Sequence, residues 1–239
     1  MVNRAALVFP VAPGKTEADI RRIADRFNAE PEAYFESRRR AGVTFERAYW
    51  QQTSMGDFVV AYAESERSVP EVIGAYAQGA TEIDRFFATT VRELHGVDIT
   101  QPPEGPTPET VGEWVDPAVN GRRRGMAFCA PLIPGQEERG RAWAKKTFGD
   151  DEMTRSRRAL GQNVEVVTLN YAPQGPVAAV YLEGTDPFEG NRTFAASTDP
   201  FDVRFREELG VLFPPFIDFT QPVPGVTEIF DSQALIGRA

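Results

Sequence analysis

Cysteine and histidine are nearly missing from this chain: Cys129 is the one thiol and His95 the one imidazole in 239 residues. A single cysteine excludes an intrachain disulfide and any multi-cysteine metal site. A single histidine excludes histidine-rich zinc or iron sites, and any Ser-His-Asp arrangement would rest on His95 alone. No metal site is therefore expected. Glycine signatures are lacking as well, with no G-x-G-x-x-G, no P-loop and no G-x-S-x-G. No apolar run approaches the roughly 20 residues of a membrane-spanning helix. The opening MVNRAALVFPV is too short an apolar stretch for a signal peptide. The expectation is a cytoplasmic protein without membrane contact. Positive charge is in deficit, with 26 Lys and Arg against 35 Asp and Glu. A net charge of -9 repels phosphate backbones, so no nucleic-acid partner is expected.

What the chain does contain is enough apolar material for a sizeable core, 41% hydrophobic against 26% charged residues. Cys129 sits inside the apolar run Met126–Ala130, the setting of a buried structural thiol.

The dominant feature is an internal repeat. Residues 37–64 align with 156–183 without a gap. Ser37, Arg38 and Arg39 match Ser156, Arg157 and Arg158. Gly42, Glu46, Gly56, Tyr62 and Glu64 match Gly161, Glu165, Gly175, Tyr181 and Glu183. Pro10, Pro13 and Gly14 match Pro131, Pro134 and Gly135, and Asp98–Pro102 matches Asp218–Pro222. A period near 120 residues suits a duplicated small domain rather than a solenoid.

Each copy reads alike. Ala5–Val11 is an apolar run closed by a Pro-Gly turn, hence a strand. Thr16 offers an N-cap to a helix that Pro31 breaks or restarts and Gly42 ends. Val43–Gln52 and Asp57–Glu64 form a hairpin. A second helix starts near Pro70 and ends at His95-Gly96, and Val97–Gln101 reads as a short last strand. The second copy gives a strand at Met126–Leu132, a helix at Glu137–Ala159, a hairpin at Val164–Tyr171 and Pro176–Glu183, and a last strand at Phe216–Gln221. The order is βαββαβ, an α+β, ferredoxin-like unit. The boundaries are 1–101 and 125–221 for the copies, 102–124 for a linker or arm, and 222–239 for a C-terminal arm. Val111, Glu113 and Asp116 set against Val226, Glu228 and Asp231 suggest two arms, each packing onto the other copy. A loose linker and a frayed tail fit the same residues. A four-stranded sheet with helices on one side must cover its other face, and two such sheets can cover each other.

The whole pattern resembles the dimeric α+β-barrel superfamily. The opening Ala-Leu-Val-Phe-Pro-Val-x-Pro-Gly is similar to the start of SchA/CurD-like proteins of polyketide pathways. The Ser-Arg-Arg-Arg-x-Gly helix end, the Met-Gly-Asp-Phe-Val-Val-x-Tyr strand and the Asp-Pro-Phe-Asp segment resemble small uncharacterised members of that superfamily. Antibiotic-biosynthesis-type monooxygenases belong to it too. The resemblance implies tandem βαββαβ repeats packed as an intramolecular dimeric α+β barrel, present as a monomeric pseudo-dimer or a homodimer. It implies a small hydrophobic or aromatic ligand and a cofactor-free monooxygenase or cyclase acting on an aromatic, polyketide-like substrate. A non-catalytic ligand-binding or structural module is the alternative, and a haem protein a lesser one.

On that reading Glu46 or His95 is the base, and Arg38 or Arg39 holds the anion. Trp50, Tyr62, Tyr34 and Phe87 wall the pocket, with Glu165 and Tyr181 as second-copy counterparts of Glu46 and Tyr62. Each residue has a plainer reading. Arginines near a helix C-terminus complement its dipole. Glu46 and Glu165 can be their ion-pair partners, and aromatic residues at these spacings commonly form core. His95 can simply close its helix. As a haem ligand it lies in the wrong half, since in chlorite-dismutase-like two-copy proteins the axial histidine belongs to the second. Places where the copies differ, notably His95, Trp50 against Leu169, Trp143 and Phe213-Pro214-Pro215, are where function is to be sought.

Overall fold

The computed structural model describes residues 2–101 and 105–237. Positions 102–104 of the linker and 238–239 of the C-terminal arm lie outside the described residues. The first copy comprises β1 (Asn3–Pro10), α1 (Glu17–Ala29), α2 (Pro31–Ala41), β2 (Val43–Thr53), β3 (Gly56–Ser65), α3 (Val69–Ala77) and α4 (Glu82–His95). After β4 (Glu109–Val115) the second copy repeats the order as β5 (Arg124–Pro131), α5 (Glu137–Thr147), α6 (Asp151–Ala159), β6 (Gln162–Ala172), β7 (Gly175–Gly184), α7 (Pro187–Ala196) and α8 (Pro200–Gly210). β8 (Val226–Asp231) and a 3₁₀ turn at Ser232–Leu235 follow.

Two helices stand where the sequence suggests one. Glu137–Ala159 breaks between α5 and α6, where the Asp150 carboxylate accepts from Glu152 N and restarts the helix. The helix before His95 breaks at Gly79, and Thr81 and Asp84 form a capping box that starts α4. Gly42 and Gly161 end α2 and α6 at positive φ, 81° and 71°, a conformation glycine adopts without a Cβ clash.

The expected last strands at Val97–Gln101 and Phe216–Gln221 are turns instead. Asp98 Oδ1 accepts from Thr100 N at 3.0 Å, and Asp218 Oδ1 accepts from Thr220 N at 2.9 Å. Their alternating apolar residues imitate a strand, while the aspartate side chains hold the backbone in a turn. The fourth strands come from the arms and are exchanged. β8 pairs with β2 and β4 pairs with β6, giving antiparallel sheets ordered β1-β3-β2-β8 and β4-β6-β7-β5.

The two sheets face each other and bury Ala6, Phe45, Val60 and Tyr62 against Ala127, Val166, Ala179 and Tyr181. At the centre the Tyr62 and Tyr181 rings stack with centroids 3.5 Å apart. Side chains close the barrel by satisfying the edge strands. Asn170 takes Val8 N and donates to Ala6 O, while the Gln51 amide takes Cys129 N and donates to Cys129 O. This blunts two edges that would otherwise bury unpaired backbone groups. Cys129 lies in this interior, where burial pushes its thiol up to about 12 and keeps it protonated.

One end of the interior is sealed by charge. Arg47, 4% exposed, donates to Asp231 at 2.9 Å, to Tyr181 Oη at 2.7 Å and to Arg123 O at 2.7 Å. Tyr181 donates to Glu183, and Tyr62 donates to Glu64. Arg122 forks onto Glu64 at 2.7 and 2.5 Å. Arg47 thus reaches from the first copy to Tyr181 and Glu183 of the second, and Arg122 of the linker to Glu64 of the first.

Candidate functional site

The outer face of each sheet, the side that packs on its helices, is where the copies diverge. Phe9 and Trp50 flank Val59 on neighbouring strands of the first sheet, one row across β1, β3 and β2. The equivalent row across β5, β7 and β6 is Ala130, Ala178 and Leu169. The helices follow suit, with Tyr34 in the first copy and Met153 at the aligned position of the second. The first copy is consequently filled. Trp50, Ile20, Val59 and Leu94 form one cluster, and Phe27, Tyr34 and Ile83 another.

In the second copy the same space is open. A cleft of about 1270 Å³ is lined by the β5–β6–β7 face, helices α5–α8 and the 212–224 segment, and extends to residues 10–15 and 51–58 of the first copy. Phe128, Trp143, Leu169, Val180, Phe205 and Phe213 supply much of its apolar wall. Trp143 is fixed there by donating Nε1–H to Glu208 at 2.7 Å. The buried charged groups on the wall are Arg157 and Glu165, paired at 2.5 Å through Nε. Gln162 and Asn191 add polar groups.

The paired arginines of the two copies have different surroundings. Arg38 donates to Glu46 at 2.6 Å and lies 4.5 to 5.1 Å from the ring centroids of Phe27, Tyr34, Tyr76 and Phe87. Burial works against its charge, and Glu46 together with the Tyr76 and Tyr34 hydroxyls more than offsets that, so its pKa lies above the ordinary arginine value. Tyr34 donates to the same Glu46 oxygen at 2.9 Å. Arg157 keeps its glutamate but packs on two rings, Phe194 at 5.1 Å and Phe205 at 4.6 Å. It borders the cleft where Arg38 is enclosed.

Of the residues singled out from the sequence, Glu165 borders the cleft. Glu46, Arg38, Tyr34 and Phe87 come together, but inside the filled half, and Trp50 packs beside them. Tyr62 and Tyr181 face the barrel interior rather than the helices. Arg39 is exposed at the end of α2. Leu169, Trp143 and Phe213, noted as copy differences, all border the cleft. Gln162, Asn191 and Ala130 escaped notice. Position-by-position comparison carries their signal, since Val43 and Ile73 stand in the first copy where Gln162 and Asn191 stand in the second.

His95 lies at the end of α4, with Nδ1 3.0 Å from Pro10 O and its ring against Phe9. Burial lowers its pKa, and the contact with Pro10 O offsets only part of that. A depressed folded-state value means the neutral ring contributes stability above about pH 6.5, lost as pH falls through the folded pKa. His95→Phe, which installs the residue of the second copy, is therefore expected to flatten the fall in urea-unfolding free energy between pH 7 and pH 5. An unchanged slope would refute this assignment.

Among the described residues no group of three or more His, Cys, Asp or Glu side chains is placed to hold a metal ion, and no helix is long and apolar enough to cross a membrane.

Fold and cleft together define a fused, pseudo-dimeric α+β barrel with one hollow half. No family model matches the chain, and no curated protein is similar in sequence. Solved structures are similar. An anthrone oxidase-like protein superposes with a TM-score of 0.50 at 10% identity, over 95% of this chain and 88% of the other. A candidate monooxygenase from Fusobacterium nucleatum gives 0.49 at 8% identity over 95% and 89%. Another from Lactobacillus acidophilus gives 0.46 at 9% over 97% and 94%. At such identities the likeness is one of fold.

Proposed function

We propose that the protein takes up an aromatic, polyketide-like molecule in the cleft of its second copy and oxygenates it without a cofactor. The observation that carries this reading is the cleft itself, with the Arg157–Glu165 pair on its otherwise largely apolar wall. The space is ample for a polycyclic ligand, since drug-sized pockets run to roughly 300–1,000 Å³. The anthrone oxidase-like neighbour supplies a trial substrate class, a fused ring ketone with an acidic methylene. Loss of one methylene proton gives an enolate that reacts with dioxygen. One oxygen atom becomes the new carbonyl and the other leaves as water with the two methylene hydrogens, so the reaction balances without an external reductant. In this scheme Arg157 stabilises the enolate oxygen and Glu165 accepts the proton.

The test is an oxygen electrode with anthrone as trial substrate. The expected result is protein-dependent uptake of one dioxygen per quinone formed. A second reading has its own support. Both Glu165 oxygens already accept from Arg157, at 2.5 and 3.3 Å, so the carboxylate is occupied by its partner rather than turned to a substrate. A protein that binds anthrone yet leaves its oxidation rate at the buffer value is a ligand carrier instead.

A further inference from the structure

The wall of the cleft carries hydrogen-bonding capacity that the protein itself does not use. Gln162 is 5% exposed, and its Oε1 has no hydrogen-bond partner among the described residues. A buried amide oxygen left unpaired has given up its hydrogen bonds to water with nothing in return, which destabilises the fold. The aligned residue of the filled copy is Val43, so the fold does not require an amide there. Asn191 repeats the contrast, with Ile73 as its counterpart. Its Oδ1 accepts from Val223 N at 2.8 Å, which leaves the amide N–H donors for the cleft it lines.

These groups are close together. A Cβ on Gly190 would meet Leu160 O at 2.8 Å and Gln162 Nε2 at 3.3 Å, so glycine lets α7 settle against the end of α6 beside Gln162. Asn191 follows Gly190, and Phe194, one turn later on the same face, packs on Arg157. An acceptor from Gln162 and donors from Asn191 and Arg157 therefore share one corner. Arg157 is already neutralised by Glu165, so the corner suits a neutral ligand better than a carboxylate.

We infer that Gln162 and Asn191, beside Arg157, form a recognition corner for the oxygenated edge of an aromatic ligand, taking a phenolic hydroxyl on Gln162 and a ring carbonyl on Asn191 and Arg157. The inference rests on the reading of the cleft as a ligand site. It makes the two amides specificity residues, and it explains why they occur only in the hollow copy.

Three probes test it on the full chain by calorimetry: 2-hydroxyanthraquinone, its 2-methoxy ether, which keeps the bulk but loses the donor, and the unsubstituted quinone. The native protein is expected to bind the hydroxyl form about tenfold more tightly than the ether, the worth of one buried hydrogen bond. Gln162→Val should bring that ratio close to one while leaving the ether's affinity unchanged, which also reports an intact fold. Asn191→Ile should weaken all three by a similar factor, through their common carbonyl. If all three probes bind and Gln162→Val keeps the preference, or the native protein shows none, the corner is refuted and the cleft as a ligand site stands. If none of the three binds the native protein, the cleft reading fails and takes the corner with it.

Discussion

The double variant Ala130→Phe, Leu169→Trp is expected to lose ligand binding by on the order of 100-fold or more while folding normally. It rebuilds in the second copy the row that fills the first, Phe9 and Trp50 on either side of Val59. The added rings enter open space, so the usual cost of overpacking, about 1–3 kcal/mol, is largely avoided. The midpoint of thermal unfolding should hold or rise. The mirror variant, Phe9→Ala with Trp50→Leu, should do the reverse. It hollows a packed half, at a cost of about 3–5 kcal/mol, and leaves ligand binding as it was. Part of that cost is returned, because Trp50 Nε1 is buried without a partner among the described residues. Binding that persists in the filled second copy would show that the cleft is not the ligand site.

The largest loss of stability is expected from Arg47→Ala, about 3–5 kcal/mol in urea unfolding. The arginine is 4% exposed and serves Asp231, Tyr181, Glu183 and the carbonyl of Arg123 together. Its removal leaves the Glu183 carboxylate, 1% exposed, with hydrogen bonds from Tyr181 Oη and Arg123 N but with its nearer cation gone and Arg122 at 3.8 Å. Truncating one partner of a buried ion pair costs more than replacing both with apolar groups. The double variant Arg47→Met, Glu183→Gln should therefore lose less than the sum of its single variants. A loss below about 1 kcal/mol for Arg47→Ala, the range of an exposed pair, would mean that this end of the barrel is not sealed by charge. The second copy has Val166 where the first has Arg47, so each half supplies something different to the seam.

The duplication is legible in sequence because the residues that pin the helix ends and strand pairs recur with their spacing intact. Ser37-Arg38 and Ser156-Arg157 make the same contacts, each serine donating to the aspartate of the facing helix, Asp84 or Asp202. Tyr62 and Tyr181 are legible as a pair but not as a stack, since only the assembled sheets bring them into contact. Strand exchange is hidden for a related reason. Val97–Gln101 has a strand's alternation, and the turn that Asp98 imposes competes with it locally. The hollow half is the least legible in sequence. Its opening is a single row of residues drawn from three strands, Ala130, Ala178 and Leu169, far apart in sequence. Only the Trp50-to-Leu169 step stands out by size. Gln162 is overlooked because it follows the helix-ending Gly161 and reads as part of the turn, though it begins β6.

A crystal structure of the protein with 2-hydroxyanthraquinone bound would test the division of labour between the copies most directly. One ligand per chain is expected, between the β5–β6–β7 face and α5–α8, with its oxygenated edge at Gln162, Asn191 and Arg157. Ligand seated against Arg38 and Glu46 in the first copy, or between the two sheets beside Tyr62 and Tyr181, would contradict it.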